Sequence, residues 1–207
     1  MPKVLALVAF AYLLGSVPCG WVVMKIYRNL DVRKLGSGNI GAANVFRAGG
    51  PGAFAATVIA DGLKGFIPVM LGIAIGLGDQ EIALCAVGCA AVIGHSWPIY
   101  LGFHGGKGVA TTGGVMLALA PVALIMAGLS WFLVVRLTRV ASLSSLVAVG
   151  VGLLSLIALH LIGWQLWRPV GWPVVFLGIV LTVLIVFRHR INIERLATGR
   201  ELKITTS

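Results

Sequence analysis

Three short polar clusters interrupt an otherwise apolar sequence, and each contains residue types that bind phosphate. The clusters read KLGSGNIGAANVFR at 34–47, GHSWPIYLGFHGGKGVATTGG at 94–114 and RHRINIERLATGRE at 188–201. Closely spaced glycines expose backbone N–H groups that can surround an oxyanion, and arginine and lysine add charge-assisted hydrogen bonds. Together these residue types predict a site that binds one or more phosphate groups.

The first cluster combines glycines with side chains that donate hydrogen bonds. Its candidate site residues are Ser37, Gly38, Asn39, Asn44 and Arg47. The arginine offers a planar fork that fits phosphate, while the serine and the asparagines offer neutral donors. The order GSGNIG at 36–41 has the form of a dinucleotide fingerprint, but no predicted strand precedes it, so we do not predict nucleotide binding. A flexible basic loop is the alternative interpretation.

The second cluster places a lysine among glycines at the start of an apolar run. Its candidate phosphate ligands are Gly105, Gly106, Lys107, Gly108 and Thr111. Free N–H groups at a helix N-terminus attract anions, which supports this choice. The segment differs from a Walker loop, because Leu101 stands where glycine is required and Gly108 where Ser or Thr would hold magnesium. His95 is a further candidate for substrate binding, whereas His104 fits an ordinary residue of the membrane interface.

The third cluster continues from the last apolar run and combines basic residues with an amide. On a continuous helix, His189 and Asn192 would share a face. Arg188, Asn192 and Arg195 would follow the i, i+4, i+7 pattern, so we predict that Arg188, His189 and Asn192 belong to the site. A basic helix that binds anionic lipid is the alternative. A smaller polar patch at 138–142 adds Ser142 to the candidate set.

The elements that must position these clusters are membrane-spanning helices. Of the 207 residues, 59% are hydrophobic and 11% are charged. Apolar runs cover 4–24, 53–77, 82–101, 109–135, 143–163 and 173–187. Several runs are long enough to cross about 30 Å of hydrocarbon, and they are continuous rather than alternating as in β-barrel strands. The sequence therefore predicts an all-α integral membrane protein, a polytopic helical bundle that forms one transmembrane domain over residues 1–207.

The net charge of +10 is consistent with basic cytoplasmic loops, anionic lipid and an anionic substrate. In a membrane protein this charge does not indicate nucleic acid, and no nucleic-acid partner is predicted. Three cysteines lie in apolar runs without the spacing of metal ligands, so we interpret them as core residues and predict neither a metal site nor a cofactor.

Basic residues at the ends of the apolar runs predict the topology. They crowd the segments after the first and last runs, which the positive-inside rule places in the cytoplasm. The acidic loop with Asp79 and Glu81 and the loop with Arg168 then lie outside. Lys107 and Arg136 share the cytoplasmic side, although the 28 residues between them span only about 42 Å as a helix, too little for two full crossings.

The run 109–135 is therefore predicted to enter the membrane and return as two short helices broken at Pro121. This gives seven membrane segments, with the N-terminus outside and the C-terminus cytoplasmic. Six segments are the alternative.

Within the second run, Asp61 and Lys64 are three residues apart, and each would cost a few kcal/mol alone in hydrocarbon. We predict that they pair with each other, and a role beneath the site stays open.

The segments GSGNIGAANVFR, GHSWPIYLGFHGGKGVATT and HRINIERLATGRE resemble, in order and spacing, the three motifs of the bacterial acyl-phosphate:glycerol-3-phosphate acyltransferases, the PlsY family. Ala43 stands where the family often has threonine, and His104 where lysine is common. The resemblance implies a multi-pass enzyme of the bacterial cytoplasmic (inner) membrane with one catalytic domain and an active site that faces the cytoplasm.

The resemblance also implies the reaction and the partners. A fatty acyl group would pass from acyl phosphate, not from acyl-CoA or acyl carrier protein, to the primary hydroxyl of glycerol 3-phosphate. The products would be lysophosphatidic acid and phosphate, in the first step of phospholipid synthesis. The implied partners are fatty acyl phosphate, glycerol 3-phosphate and membrane lipid. An upstream enzyme that forms the acyl phosphate is a further candidate partner.

Residue roles follow from the same resemblance. The implied catalytic residues are Ser37, Arg47, His189 and Asn192. The resemblance implies that Gly105, Gly106, Lys107 and Gly108 form the glycerol-phosphate site and that Asn39 helps to hold phosphate. From the residue types of the clusters we also predict substrate binding by Gly38, Asn44, His95, Thr111, Ser142 and Arg188. The alternative function is a membrane transporter of a phosphorylated solute, since broken helices and charges within the membrane suit one. The clustering of polar residues on one face and the lack of an inverted repeat argue against it.

Overall fold

The computed structural model describes residues 1–163 and 169–204, and every regular element in these ranges is helical. The α-helices are α1 (Pro2–Gly15), α2 (Cys19–Arg28), α3 (Ala42–Gly72), α4 (Glu81–Ser96), α5 (Val109–Leu119), α6 (Pro121–Thr138), α7 (Ala141–Leu161), α8 (Trp172–Arg188) and α9 (Arg190–Ala197). Short 3-10 turns at Val32–Lys34 and Ile99–Leu101 and a π-helical turn at Ile73–Leu77 complete the described elements. The prediction of an all-α bundle is confirmed.

Five stretches of the described chain are long and apolar enough to cross a membrane. They are Pro2–Arg28, Ala42–Leu77, Glu81–Leu101, Pro121–Thr138 and Ala141–Leu161. The pair α8 and α9, bent by 59°, gives a sixth if it is taken as one span. Seven segments and the orientation of the termini stay predictions, and Arg168, which entered the topology argument, lies outside the described residues.

The run 109–135 is broken where the sequence predicts. Helix α5 ends at Leu119 and α6 begins at Pro121, whose fixed φ and missing N–H suit the first turn of a helix. The two halves are unequal, however. Helix α5 has 11 residues and α6 has 18, about 16 and 27 Å at the usual rise. The prediction of two short helices is therefore wrong for the second half, which approaches full spanning length.

Other apolar runs are less continuous than predicted. The first run is interrupted between Gly15 and Cys19, around Pro18. Helix α3 is kinked at Gly50, whose φ of 79° lies in the left-handed region, just before Pro51. The last run ends at Arg188, and the chain bends at His189 before α9. Arg188, Asn192 and Arg195 are thus not on one straight helix, and the predicted i, i+4, i+7 face is wrong.

Glycines allow helices α3 and α5 to pack in close contact. A Cβ on Gly65 would collide with the carbonyl oxygen of Thr111, and a Cβ on Gly114 would collide with that of Gly62. Such small-residue contacts are a common basis of helix packing in membranes, where lipid is as apolar as a leucine side chain. They set the position of the glycine loop, residues 105–108, relative to α3.

Candidate functional site

The three polar clusters meet at one end of a cavity of about 700 Å³. Its polar lining residues include Ser37, Asn39, Asn44, Arg47, Lys107, Ser142, His189 and Asn192. The rest of its wall is apolar and includes Phe54, Phe66, Leu124, Trp131, Leu153 and Leu181. On α7 the lining runs from Ala141 to Leu156, a distance of about 22 Å along the helix. The cavity thus joins a polar head to a long apolar channel.

Asn44 stabilises the loop of the first cluster through side-chain hydrogen bonds. Its buried amide nitrogen donates to the carbonyl oxygens of Val32, Leu35 and Asn39 at 2.9–3.0 Å, and its Oδ1 accepts from the Ser37 N–H at 3.0 Å. Gly38 supports the same loop with a φ of 71°. Asn44 was predicted as a substrate ligand, and although it lines the cavity, its hydrogen-bonding capacity is used within the loop.

Arg47 and Ser37 lie side by side on the cavity wall. Arg47 Nη2 donates to Ser37 Oγ at 3.3 Å and lies 3.5 Å from Asn44 Oδ1. Arg47 Nε is buried and has no hydrogen-bond partner within the described ranges. Asn39 Oδ1 accepts a hydrogen bond from the Gly41 N–H at 2.7 Å, an Asx-type contact within the loop. A guanidinium beside a hydroxyl on the cavity wall is suited to an incoming oxyanion.

Lys107 reaches across the cavity to the third cluster. Its Nζ donates to Asn192 Oδ1 at 2.6 Å. Burial lowers the pKa of Lys107 to about 8, an effect that the neighbouring arginines reinforce and Glu201 opposes. Gly108, at a φ of 84°, precedes the first residue of α5 and confirms the predicted helix start after the lysine. The second and third clusters are therefore joined by a direct hydrogen bond.

Glu201 is a cavity residue that sequence reasoning missed. Its Oε1 accepts from Asn192 Nδ2 at 2.6 Å and from Ser142 Oγ at 2.9 Å. The carboxylate thereby orients the amide so that Asn192 Oδ1 faces the Lys107 ammonium. A carboxylate is an unexpected member of a phosphate site, which is why the residue types alone did not indicate it. Its presence at the end of the third cluster was the available signal.

His189 lies at the bend between α8 and α9, 2% exposed. Its Nδ1 lies 2.8 Å from the Ile185 carbonyl oxygen. A carbonyl can only accept, so Nδ1 carries the proton and Nε2 keeps a lone pair. The side chain lines the cavity near Asn192, as the sequence predicts, although the two residues do not share a straight helix.

Arg188 holds the glycine loop from its outer side. Its Nε donates to the Gly106 carbonyl oxygen at 3.1 Å and its Nη2 to that of Gly105 at 2.8 Å, with the guanidinium 5.2 Å from the Trp97 ring centre. Arg188, Gly38 and Gly105 line a second cavity of about 340 Å³ rather than the main one. Ser37 and Asn39 line both.

Two predicted ligands differ in their placement. Thr111 is fully buried on the side of α5 that packs against α3, and its neighbour Thr112 lines the main cavity instead. The predicted residue, Thr111, therefore does not line the cavity, because one residue along a helix turns the side chain by about 100°. Gly106 lines neither cavity, and its Cα lies against the His95 ring. His95 itself lines the main cavity.

Asp61 and Lys64 pair as predicted, with 2.9 Å between Lys64 Nζ and Asp61 Oδ1. His95 Nδ1 lies 3.5 Å from the same carboxylate oxygen. Within residues 1–163 and 169–204, no group of three or more His, Cys, Asp or Glu side chains could hold a metal ion.

Comparison with known proteins finds similarity over nearly the whole chain. The model of the family described as glycerol-3-phosphate acyltransferase matches residues 5–199. The glycerol-3-phosphate acyltransferase of Rubrobacter xylanophilus is 46% identical over 198 residues, which cover 95% of this chain and 93% of that protein. The corresponding protein of Desulforudis audaxviator is 40% identical over 202 residues, which cover 98% and 96%.

The fold has solved counterparts as well. Crystal structures of PlsY, an integral membrane glycerol 3-phosphate acyltransferase, match with TM-scores of 0.86 for the glycerol 3-phosphate form and 0.85 for the lysophosphatidic acid form. Both are 40% identical to this chain and cover 97% of it, and the match spans 95% of each solved chain.

Proposed function

Because the chain belongs to the glycerol-3-phosphate acyltransferase family of integral membrane proteins, we propose that it takes its acyl group from a fatty acyl phosphate. The acceptor would be the primary hydroxyl of glycerol 3-phosphate, and the products lysophosphatidic acid and inorganic phosphate. The observation that carries the proposal is the continuity of one cavity from a basic polar head to a long apolar channel.

The apolar channel fits a fatty acyl chain that arrives through the bilayer. Ile59 on α3 and Leu117 on α5 both line the cavity, yet they are 61% and 48% exposed. An exposed apolar side chain in a membrane helix faces lipid or another apolar surface, so the cavity is open toward the hydrocarbon at these residues. A lipid-dissolved donor could enter there without crossing water.

The charges of the polar head fit two anionic substrates. Arg47 and Lys107 line the cavity, and the nearby Glu201 carboxylate accepts hydrogen bonds from Asn192 and Ser142. The deeper Asp61 is paired with Lys64. The phosphate of glycerol 3-phosphate would contact the Lys107 ammonium, and the Arg47 guanidinium with Ser37 would contact the acyl phosphate. These assignments extend the roles that the motifs imply.

We propose direct transfer without an acyl-enzyme. The primary hydroxyl oxygen attacks the acyl carbonyl carbon and forms the new ester bond, while the bond from that carbon to the phosphate oxygen breaks and phosphate leaves with the electron pair. The hydroxyl proton passes to His189 Nε2, whose lone pair the Nδ1 contact with Ile185 leaves available. Ser37 Oγ lies beside the Arg47 guanidinium rather than a base, so it is not activated as a nucleophile. Positioning and charge neutralisation supply the catalysis.

An assay of donor choice tests the proposal. Purified protein in detergent or bicelles, given palmitoyl phosphate and glycerol 3-phosphate, is expected to form lysophosphatidic acid and phosphate in equal amounts. Palmitoyl-CoA with glycerol 3-phosphate is expected to give no product, and palmitoyl phosphate alone reports any hydrolysis. Robust product formation from the CoA ester without acyl phosphate would contradict the proposed donor. The transporter alternative has lost its support, since the family assignment is to acyltransferases.

We also propose that the polar head faces the cytoplasm of a bacterial inner membrane, because its Arg47 and Lys107 belong to the basic segments that the positive-inside rule assigns to that side.

A further inference from the structure

Three ionisable side chains outside the proposed chemistry are buried together in the bundle. Asp61, Lys64 and His95 are 2%, 3% and 3% exposed. Asp61 Oδ1 lies 2.9 Å from Lys64 Nζ and 3.5 Å from His95 Nδ1. Charged groups in such surroundings are costly, and a buried ion pair is weak evidence for added stability. Added stability therefore does not by itself account for their burial.

The cluster is connected to the glycine loop through His95. The His95 carbonyl oxygen accepts from the Gly106 N–H at 3.0 Å. The imidazole Nε2 occupies the space that a Cβ on Gly106 would take. The ring is thus enclosed between the Asp61 carboxylate on its Nδ1 side and the Gly106 backbone on its Nε2 side.

The same cluster is anchored on the scaffold through Lys64. Its Nζ donates to the Val17 carbonyl oxygen at 2.7 Å, in the interruption between α1 and α2. The same carbonyl oxygen also accepts from the Cys19 backbone N–H at 3.0 Å, so the ammonium adds a second donor to it. Lys64 therefore ties the Asp61 carboxylate on α3 to the junction between α1 and α2.

We propose that Asp61 is a positioning residue for the glycine loop. Its carboxylate orients the His95 ring, the ring fixes Gly106, and Gly106 sets the place of the adjacent Lys107. His95 then acts on the backbone of the loop, which differs from the substrate contact that the motifs imply. The kinetic part of the proposal rests on the proposed function, whereas its structural part does not.

Two charge-neutral double variants separate positioning from pairing. Asp61→Asn with Lys64→Met removes both charges and leaves an amide oxygen that can accept from His95 Nδ1–H. Asp61→Leu with Lys64→Met removes both charges and the acceptor as well. Thr57→Val is the control, since Thr57 is fully buried on the same helix and its hydroxyl donates to the Ala53 carbonyl oxygen of that helix.

Hydrogen exchange at the Gly106 amide is the first measurement, because it needs no turnover. In the Leu variant we expect exchange about tenfold faster than in the parent, and the KM for glycerol 3-phosphate about tenfold higher, because the His95 ring loses the carboxylate that lies 3.5 Å from its Nδ1. The Asn variant is expected to lie between the parent and the Leu variant in both measurements, because it keeps an acceptor for His95 but loses the Lys64 anchor. Thr57→Val is expected to stay within about twofold of the parent. Equal exchange and equal KM in the two double variants would overturn the proposal.

A single variant covers the case in which the Leu double variant does not fold. His95→Phe keeps a ring against Gly106 and leaves the Asp61–Lys64 pair intact, but it removes Nδ1. We expect faster Gly106 exchange here too, and parental exchange would overturn the proposal. If the parent forms no lysophosphatidic acid from palmitoyl phosphate, the proposed function fails, and the exchange comparison still decides the role of Asp61.

Discussion

Replacing Lys107 by alanine removes the ammonium that the structure places at the polar head of the cavity. In the parent this group is largely buried and donates to Asn192 Oδ1 at 2.6 Å. A phosphate bound beside it would gain a charge-assisted hydrogen bond in surroundings that screen charge poorly. The loss of such a bond costs about 1.5–3 kcal/mol. Since about 1.4 kcal/mol is tenfold, the KM for glycerol 3-phosphate should rise roughly 10- to 100-fold.

The effect should appear in KM rather than in kcat, because the phosphate of glycerol 3-phosphate is distant from the bond that forms and is held alike before and during the reaction. The assay is steady-state formation of lysophosphatidic acid at saturating palmitoyl phosphate, on variants that are monodisperse and retain the parental Tm. Lys34→Ala is the matched control, since Lys34 is an exposed lysine of the neighbouring cluster. A parental KM in Lys107→Ala would refute the assignment of this lysine to the acceptor phosphate.

Further expectations concern pH, the base and the topology. Because the pKa of Lys107 is lowered to about 8, its charge is present at pH 7 and is lost as the pH rises through 8. The KM for glycerol 3-phosphate should therefore rise between pH 7 and 9, and Lys107→Arg should flatten this dependence if the lysine causes it. His189→Ala should lower kcat by about 10²- to 10⁴-fold with little change in KM, and a variant with raised KM and parental kcat would show that His189 only binds. In a cysteine-free background, Arg139→Cys should react with a membrane-impermeant maleimide from the cytoplasm and Asp79→Cys from outside, and labelling of both from one side would contradict the predicted orientation.

The break in the run 109–135 could be predicted because its cause is local. Pro121 cannot continue a helix from the preceding residues, and it suits the first turn of the next one. The length of α6 could not be predicted, because a basic residue marks where a run ends in sequence but not how far the following helix extends. Helix α6 continues past Arg136 to Thr138, and Arg139 in the left-handed region turns the chain into α7.

The bend at His189 has no signal in the residue types around it. Neither proline nor glycine occurs in FRHRIN. In the structure the Ile185 carbonyl oxygen accepts from both the backbone N–H and the Nδ1 of His189, at 3.0 and 2.8 Å. A side chain that bonds to the carbonyl four residues earlier competes with the helical ladder and favours a bend. Whether a histidine does so depends on what encloses it, which is a tertiary property.

Glu201 shows the limit of reasoning from residue types alone. The rule that phosphate sites are basic selected Arg47 and Lys107, which line the main cavity, but it did not select Glu201, which lines the cavity with them. In the folded chain, that carboxylate accepts from Ser142 and Asn192 and is not itself placed as a phosphate ligand. Such a role requires two partners that lie 59 and nine residues away, and only the assembled structure brings them together.

The lipid-facing opening at Ile59 and Leu117 has a consequence for kinetics. A donor that enters from the hydrocarbon reaches the enzyme by diffusion within the lipid phase. Its effective concentration is therefore its mole fraction among the surrounding lipids or detergents, not its amount per volume of buffer. Diluting the sample with more micelles at constant total donor should then slow the enzyme, whereas diluting it with buffer at constant lipid composition should leave occupancy of the acyl channel unchanged. Glycerol 3-phosphate is dissolved in water, so added micelles should leave its occupancy of the site unchanged, whereas dilution with buffer should lower it. The two substrates of one cavity would thus follow different concentration scales.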